Sequence, residues 1–411
     1  MNTSLFMAAL AVIAFCSIVI MYAANAFEDA ADFLGRDMRP GVKGATLNAI
    51  GSSLPELFTT SIFLFGPLVI PAWFGTAADG ADHFSAGIAT CAGSAVFNAV
   101  IIPALCVFAV RFYGIKQPDG SRKIVPPIQL HKKTLIKDSL FFLGSEGLLI
   151  WFLSGTTMAW WMGGALCVAY VIYIAVTLGF GFGEAEEDDG DEDDEDEDEA
   201  GGWGLLGLGY LLDFNARFFG GKKLSDQRAW IVLAAAVVVI AVACAGVVWG
   251  VESTAAALNI QPYFTAVILA AAATSVPDTV LSVKDAMKGQ YDDAVSNAVG
   301  SNIFDITICL GLPLLIYGLI QGDVSLNSGA SASADVQVLR WVLLFVSVCV
   351  TAAFLIGPHV GAGKATFLFV LYIGWTAFVV GRAWDASWAG AIVDILPGSG
   401  AAVAPAEGTS H

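Results

Sequence analysis

Two short segments of the chain each place a carboxylate and a proline among hydroxyl residues, inside stretches that are otherwise apolar. The first is GSSLPE at 51–56, and the second is ATSVPD at 273–278. GSAVFN at 93–98 and GSNIFD at 300–305 follow them in the same order. A carboxylate at mid-membrane depth is costly unless it is paired or bound to an ion. These four duplicated words therefore predict a functional polar site inside a membrane protein.

The side chains of the duplicated words supply hard oxygen ligands. Residues three or four apart lie on one helix face, so the polar groups of each word are expected to sit together. The candidate ligands are the carboxylates Glu56, Asp278 and Asp305, the amide Asn98, and the hydroxyls of Ser52, Ser53, Ser94, Thr274, Ser275 and Ser301. Such a set suits a cation that takes roughly 6 to 8 oxygens, as calcium does, and sodium suits neighbouring positions. The histidines are scattered and the cysteines stand singly, so no zinc or copper site is predicted.

Each carboxylate word also contains a proline. Pro55 and Pro277 lack the N–H that would bond the carbonyl four residues earlier. We expect them to free the carbonyls of Gly51 and Ala273 and to bend their helices locally. Irregular backbone at membrane depth is tolerated where it lines a cavity or coordinates an ion.

The composition indicates what kind of protein positions these residues. Of the 411 residues, 57% are hydrophobic and 14% are charged, and the mean hydropathy is +0.72. Stretches of about 20 apolar residues, long enough to cross ~30 Å of hydrocarbon, recur along the chain. Ten spans are predicted, over 4–25, 43–70, 84–110, 138–156, 159–182, 229–251, 262–286, 292–319, 337–357 and 364–383. The predicted class is an all-α polytopic membrane protein with ten transmembrane helices.

The basic residues predict the orientation of these spans, because Lys and Arg collect in cytoplasmic loops. With the N-terminus outside, the loops after odd-numbered spans hold 17 of the 19 Lys and Arg residues, Lys137 among them. Arg340 and Arg382 remain, and each is expected at a helix end, where its side chain can snorkel. Ten spans then place both termini outside.

The duplicated words also predict how the spans are organised. The first pair lies on spans two and three and the second on spans seven and eight, so the copies are five spans apart. Because five is odd, the copies cross the membrane in opposite directions, as inverted repeats do in secondary transporters. The predicted units are a five-helix repeat at 1–182 with its motif at 43–108, an acidic cytoplasmic loop at 183–228, a second five-helix repeat at 229–384 with its motif at 263–318, and a short extracytoplasmic tail at 385–411.

The net charge of −18 has a local origin. The run EAEEDDGDEDDEDEDE at 184–199 holds 14 of the 37 acidic residues. Such a run repels itself and cannot bury a core, so a disordered tether between the two repeats is predicted. A loose reservoir for divalent cations is the alternative, although the run lacks the spaced Asp, Asn and Gly of an EF-hand.

With these words in view, the chain resembles the calcium/cation antiporter superfamily, whose alpha repeats contain G-[ST]-S-x-P-[ED] followed by G-S-x-x-x-[ND]. GSSLPELFTTSI with GSAVFN, and TSVPD with AVSNAVGSNIFDI, are most similar to the potassium-dependent sodium/calcium exchangers. The resemblance implies that Glu56 and Asp278 hold calcium from opposite repeats. It implies that Asp305, whose mirror is the neutral Asn98, stands at the position linked to potassium. It further implies that calcium and sodium share the hydroxyls named above and the backbone carbonyls near Ala49 and Ala271.

The implied activity is antiport, the exchange of sodium for calcium by alternating access, with potassium co-transport left open. A calcium/proton antiporter is the nearest alternative, because carboxylates also bind protons, and a cation channel is a less favoured one. No HExxH segment, nucleophile elbow or His partner for a serine occurs, so no enzyme is predicted. The expected partners are calcium and sodium ions and the lipid bilayer, without nucleic acid or cofactor. The expected location is a plasma membrane or bacterial inner membrane, and the oligomeric state is left open.

Overall fold

The computed structural model describes residues 2–36, 49–70, 80–116, 122–123, 128–129, 132–155, 157–179, 214, 218, 224–326, 330–356 and 359–396. The acidic run at 184–199 lies outside the described residues, so its predicted role as a tether stays a prediction.

Helices dominate the described part of the first half. They are α1 (Thr3–Leu34), α2 (Ala49–Val69), α3 (Gly80–Tyr113), α4 (Lys132–Phe152) and α5 (Trp160–Gly179). α1 begins where the Asn2 side chain accepts a hydrogen bond from the Leu5 N–H, 3.3 Å away, which satisfies one of the free amides of the first turn. α1 continues well past residue 25, the predicted end of the first span.

The described part of the second half contains five further long helices. They are α6 (Asp226–Leu258), α7 with its two halves Pro262–Thr274 and Val276–Lys288, α8 running through Tyr291–Phe304, Asp305–Cys309 and Leu310–Gln321, α9 (Ala330–Leu355) and α10 (Ala362–Ala383). α6 ends at Asn259 and α7 ends at Gly289, both in left-handed backbone, with φ of 56° and 91°. A short helix, α11 (Ser387–Val393), packs on α10, where the Trp388 ring fills the space beside Gly381. The predicted tail therefore begins with an ordered helix.

The two copies differ in backbone at their prolines. The halves of α7 meet at Ser275 with a bend of 43°. Pro277, in the first turn of the second half, causes this break because it cannot donate to the carbonyl four residues earlier, so the predicted bend is confirmed here. Its counterpart Pro55 lies inside α2, which is a single helix. α7 and α8 also contain one π-helical segment each, Ala266–Ala270 and Asp305–Cys309, and such segments often occur at functional sites.

Within the described residues, three antiparallel pairs of two-residue strands lie in segments between helices, although no strands were predicted. β1 (Ile115–Lys116) pairs with β2 (Arg122–Lys123), β3 (Ile128–Gln129) with β6 (His359–Val360), and β4 (Thr157–Met158) with β5 (Val324–Ser325). The pairs satisfy backbone groups in the connecting segments. The second and third pairs also tie the first half of the chain to the second half.

Within the described residues, seven helices are long and apolar enough to span a membrane, and the two halves of α7 together make an eighth. The chain is therefore a polytopic helical membrane protein. The other two predicted spans, 43–70 and 138–156, correspond to α2 and α4, which do not meet the same criterion. α2 carries the polar word at 51–56, and α4 carries Lys137, Asp138 and Glu146.

Several basic residues lie elsewhere than predicted, and two of them, Lys137 and Arg340, are buried inside helices. Lys137, assigned to a loop, is inside α4, where its side chain is 9% exposed and pairs with Asp138. Arg340, expected to snorkel at a helix end, is inside α9, is 8% exposed and donates to the Ile150 carbonyl at 3.4 Å. Both side chains remain buried because each has found an oxygen partner.

α1 and α6 pack against each other through small residues. A Cβ on Gly246 would lie 2.6 Å from the Cys16 Sγ, and one on Gly250 would lie 2.6 Å from the Ile13 side chain. Glycine at these positions lets the two backbones approach closely. The α1–α6 pair contacts α2 and α7, the helices that carry the proline words.

Candidate cation site

The duplicated words of the two copies meet inside the protein. α2 and α3 supply 51–56 and 93–98, and α7 and α8 supply 273–278 and 300–305. Their acidic and amide side chains are all fully buried, namely Glu56, Asn98, Asp278, Asn302 and Asp305. Because buried carboxylates require hydrogen-bond donors or cations, their contacts define the chemistry of the site.

Ser94 of α3 lies at the centre. Its Oγ is 3.3 Å from Glu56 Oε1, 2.8 Å from Asp305 Oδ2 and 2.9 Å from Ser275 Oγ. The Ser275 hydroxyl also donates to Glu56 Oε1, at 3.4 Å. One hydroxyl of the first copy therefore contacts a carboxylate from each copy.

Asp278 of α7 is held by one side chain from each copy. Asn98 Nδ2 donates to its Oδ2 and Ser301 Oγ donates to its Oδ1, both at 3.0 Å. Asn98 Nδ2 is also 3.4 Å from Ser94 Oγ, and the hydroxyls of Ser52 and Ser301 are 3.5 Å apart. Eight of the predicted ligands thus form one connected group, which we call the Ser94 site: Ser52, Glu56, Ser94, Asn98, Ser275, Asp278, Ser301 and Asp305.

The Ser94 site has more acceptors than protons. A serine hydroxyl carries one proton, and an ionised carboxylate only accepts. Ser94 faces two carboxylates and another hydroxyl with that single proton. The crowded oxygens therefore call for a positive charge between them, either a metal ion or a proton. Among the described residues, no three His, Cys, Asp or Glu side chains are grouped closely enough to hold a metal by themselves, so a metal ion held here would also need the hydroxyl and amide oxygens.

Three polar atoms of the predicted ligands are buried without a hydrogen-bond partner among the described residues. They are Glu56 Oε2, Asn98 Oδ1 and Ser53 Oγ. An unsatisfied buried polar atom costs about 1–3 kcal/mol, and a charged one costs more. A coordinated cation removes this cost because it binds oxygen lone pairs directly. The donor set, all oxygen and mostly anionic or hydroxyl, fits calcium and sodium.

The remaining predicted ligands are placed differently. Thr274 is buried beside Glu56, and its hydroxyl also donates to the carbonyls of Ala270 and Ala271 in its own helix, at 3.1 and 3.3 Å. The Ala271 carbonyl also accepts from the Ser275 N–H, at 3.1 Å. Ala49 is the first residue of α2, at the edge of the described range. The role of every predicted ligand, those of the Ser94 site included, stays a prediction.

Two contacts at the site were not predicted. Cys309, one of the cysteines that stand singly in the sequence, donates to the Ser53 carbonyl at 3.6 Å and to Asp305 Oδ1 at 3.7 Å. The signal was its spacing of four from Asp305, which puts both residues on one helix face. Asn302 Nδ2 donates to the Ala95 carbonyl at 3.0 Å, and the two residues occupy equivalent positions in GSNIFD and GSAVFN. This bond joins the duplicated words of α3 and α8.

Gly93 sets the approach of α3 to α7. A Cβ at this position would lie 2.1 Å from the carbonyl oxygen of Val267 and 2.8 Å from the Cβ of Ala271, so only glycine fits. Val267 belongs to the π-helical segment of α7. The close approach brings Ser94, the next residue, within hydrogen-bond distance of Ser275.

A comparison with protein families shows which family has this sequence pattern. A family described as "Sodium/calcium exchanger protein" matches residues 8–179 and 228–381, which is most of the chain. The chain belongs to the sodium/calcium exchanger family. The predicted family is thereby confirmed, and the matched ranges include every residue of the Ser94 site. As a member of the sodium/calcium exchanger family, the protein is an integral membrane protein and not an enzyme.

Several relatives of this exchanger-family chain are named for three ions. The sodium/potassium/calcium exchanger Nckx30C of Drosophila melanogaster is 38% identical over 131 residues, covering 32% of this chain and 14% of that protein. The sodium/potassium/calcium exchanger 5 of Homo sapiens is 37% identical over 108 residues, covering 26% of this chain and 20% of that protein. The matched regions thus span a fifth or less of the length of these relatives.

Two solved structures share the fold over nearly the whole chain. The H⁺/Ca²⁺ exchanger CAX superposes with a TM-score of 0.55 at 14% identity, covering 94% of this chain and 91% of that one. The sodium-calcium exchanger NCX_Mj superposes with a TM-score of 0.51 at 20% identity, covering 92% of this chain and 97% of that one. At these identities the likeness concerns the fold alone.

Proposed function

We propose that the protein is a secondary antiporter that exchanges sodium for calcium by alternating access, with the Ser94 site as its ion-binding site. The observation that carries this proposal is the convergence of carboxylates from both copies on Ser94 and its neighbours. Glu56 comes from the first copy, and Asp278 and Asp305 come from the second. The family, and the sodium and calcium in the relatives' names, support the choice of ions.

In this proposal calcium is held between Glu56 and Asp278. Sodium ions use the surrounding hydroxyl oxygens, together with Ser53, Thr274 and the carbonyls of Ala49 and Ala271. Calcium and sodium exclude each other because they compete for the same oxygens. An empty site would leave buried carboxylates uncompensated in hydrocarbon, which is costly. Only loaded states therefore switch between the two sides of the membrane, and this coupling makes the protein an exchanger rather than a leak.

The proposed topology has α1–α10 as ten spans, in two inverted repeats at 1–182 and 229–384, joined by the acidic loop at 183–228 and followed by the segment at 385–411. α2 and α4 are included as membrane spans because their polar residues face the interior of the bundle. Glu56 and Glu146 are both fully buried. The distribution of Lys and Arg supports termini on the outside. A plasma membrane or a bacterial inner membrane is the proposed location.

We further propose that potassium is transported together with calcium. Asp305 is the proposed potassium ligand, and the names of the relatives support it. Its Oδ2 lies 2.8 Å from Ser94, and the mirror position holds the neutral Asn98, so the two copies are not equivalent.

The test is calcium uptake into sodium-loaded liposomes containing the purified protein, diluted into sodium-free buffer with or without potassium. We expect uptake that requires the sodium gradient, and a further requirement for potassium would support Asp305 as its ligand. Uptake driven only by a pH gradient would replace the proposal with calcium/proton antiport. Flux far above carrier turnover, without coupling, would indicate a channel.

The matched variants are Glu56→Gln and Glu146→Gln. Both residues are fully buried carboxylates, but Glu146 pairs with Ser347, at 2.8 Å, outside the Ser94 site. We expect Glu56→Gln to abolish exchange while the protein still folds, and Glu146→Gln to retain exchange. Calcium flux that survives in Glu56→Gln would contradict the proposed site.

A further inference from the structure

A second buried polar group lies beside α8, apart from the Ser94 site. Its members are Lys137 and Asp138 of α4, Tyr173 and Thr177 of α5, and Ser296 of α8. Asp138 is 2% exposed and the Lys137 side chain 9%. Charged side chains are buried this deeply only when their partners compensate the loss of water. We call these five residues the Asp138 group.

The Lys137 ammonium lies in a cage of oxygens and one aromatic ring. Its Nζ is 3.0 Å from Asp138 Oδ1 and 3.2 Å from Thr177 Oγ1, and it lies 5.5 Å from the centroid of the Tyr173 ring. A carboxylate oxygen, a hydroxyl oxygen and a ring face together suit a single positive charge. The protein therefore already holds a monovalent cation here, covalently attached to its own backbone.

The rest of the group fixes the carboxylate of Asp138. The Tyr173 hydroxyl donates to its Oδ1 at 3.3 Å, and the Ser296 hydroxyl donates to its Oδ2 at 3.4 Å. These bonds come from α5 and α8, so three helices position the carboxylate. Such support keeps the oxygens in place when the ammonium leaves, which a flexible surface carboxylate would not do.

We propose that the Asp138 group is a monovalent-cation site whose resident is the Lys137 ammonium and which accepts a potassium or sodium ion in its place. One carboxylate provides one negative charge, which matches a monovalent ion and is too little for calcium, a divalent ion taking 6 to 8 oxygens. Because the lysine side chain attaches the ammonium to the backbone, the effective concentration of the ammonium at the site is high. Free cations therefore compete with it only when they are abundant or when the lysine is removed.

The location makes this group a neighbour of the proposed exchange site. Ser296 precedes Ser301 by five residues on α8, about 7–8 Å along the helix axis. The Tyr173 hydroxyl is 3.9 Å from the position of a Cβ on Gly300, and the Tyr170 ring packs on Phe304 at 5.2 Å. α5 thus lines α8 from the Asp138 group to the duplicated word at 300–305. A role of the Asp138 group as a binding site on the path of transported ions rests on the proposed function. Cation binding by the Asp138 group does not.

The experiment measures the Tm of the purified full-length protein in detergent, in potassium chloride against choline chloride at equal ionic strength. Lys137→Gln removes the resident, and Lys137→Gln/Asp138→Asn removes its ligand as well. The Ser94 site is present in both variants, so its own response to potassium cancels in the comparison. We expect potassium to raise the Tm of Lys137→Gln by several degrees more than that of the double variant. Equal responses would overturn the proposal.

A second variant keeps the test decisive if Lys137→Gln folds poorly. Lys137→Ala leaves room for a small ammonium ion, so methylammonium as well as potassium should raise its Tm, whereas choline is too large to enter. A Lys137→Ala protein that neither cation stabilises would refute the site. These readouts require no transport. Failure of sodium/calcium exchange therefore bears only on the proposed function, and failure of cation stabilisation bears only on the Asp138 group.

Discussion

Replacing Ser94 with alanine tests whether the two copies share one set of ion ligands. The substitution removes an oxygen that lies 3.3 Å from Glu56 Oε1 and 2.8 Å from Asp305 Oδ2. It leaves the number of carboxylates unchanged and removes no more volume than one oxygen atom. A change in calcium binding therefore reports the contribution of that hydroxyl and not a change in charge or packing.

The expected magnitude follows from the charged neighbours. An interaction between a hydroxyl and a charged group contributes about 1.5–3 kcal/mol, and each 1.4 kcal/mol corresponds to about a factor of ten in Kd. If Ser94 helps to surround the cation, its removal should raise the calcium Kd about 10- to 150-fold. The maximal exchange rate should fall less, because the carboxylates that neutralise the ion remain.

Ser347→Ala is the matched control, because Ser347 donates to the buried carboxylate of Glu146 at 2.8 Å, outside the Ser94 site. Both variants lose a serine–carboxylate bond inside the bundle, so their Tm values should fall by similar amounts. Calorimetric titration with calcium, together with the half-saturating calcium concentration for uptake, gives the two affinities. A shift in Kd that is equal in both variants, or below twofold in Ser94→Ala, would refute the reasoning.

Three further substitutions probe the surroundings of the site. Gly93→Ala should lower the free energy of unfolding by about 1–3 kcal/mol or more, and with it the Tm, and should abolish calcium binding, because its Cβ would meet a backbone carbonyl of α7. Gly144→Ala is the control, because its Cβ would point into open space and should change neither quantity. Asn98→Asp should lower the Tm in calcium-free buffer, because a donor to Asp278 becomes a second negative charge, and calcium should then raise the Tm more than in the wild type; an unchanged calcium response would contradict this. Arg340→Met should lower the free energy of unfolding by about 1–2 kcal/mol, seen as a lower Tm, because the guanidinium donates to a carbonyl in the last turn of α4. The calcium affinity measured by titration should stay within twofold.

The residues that lie together at the Ser94 site could be predicted from sequence because they belong to short, duplicated words with helical spacing. Which of these residues contact one another could not be predicted. Ser94 and Ser275 are far apart in the chain and meet because Gly93 lets α3 approach the π-helical segment of α7. No local pattern specifies which hydroxyl will lie between two carboxylates, since that depends on the relative position of four helices.

The helices themselves were predictable where the hydrophobic stretches are clean, and their ends were not. Hydropathy ends a span at the first charged residue, whereas a charged residue with a buried partner can continue the helix. Lys137 and Asp138 compensate each other inside α4, and Arg340 finds a backbone carbonyl from within α9. The two-residue strands fall below any periodicity that a sequence can show.

The two copies contribute unequal numbers of carboxylates to the Ser94 site, one from the first copy and two from the second. Three carboxylates at the Ser94 site provide three negative charges, and Asn98 supplies a donor where its mirror Asp305 can only accept. One calcium ion compensates two of these charges, so the proposed calcium-loaded state is neutral only with one further monovalent cation or a proton. Three sodium ions achieve the same neutrality alone. Because a neutral load crosses hydrocarbon at the lowest cost, the single Asp-to-Asn difference between the copies predicts that a monovalent cation accompanies calcium, and Asn98→Asp should require one more.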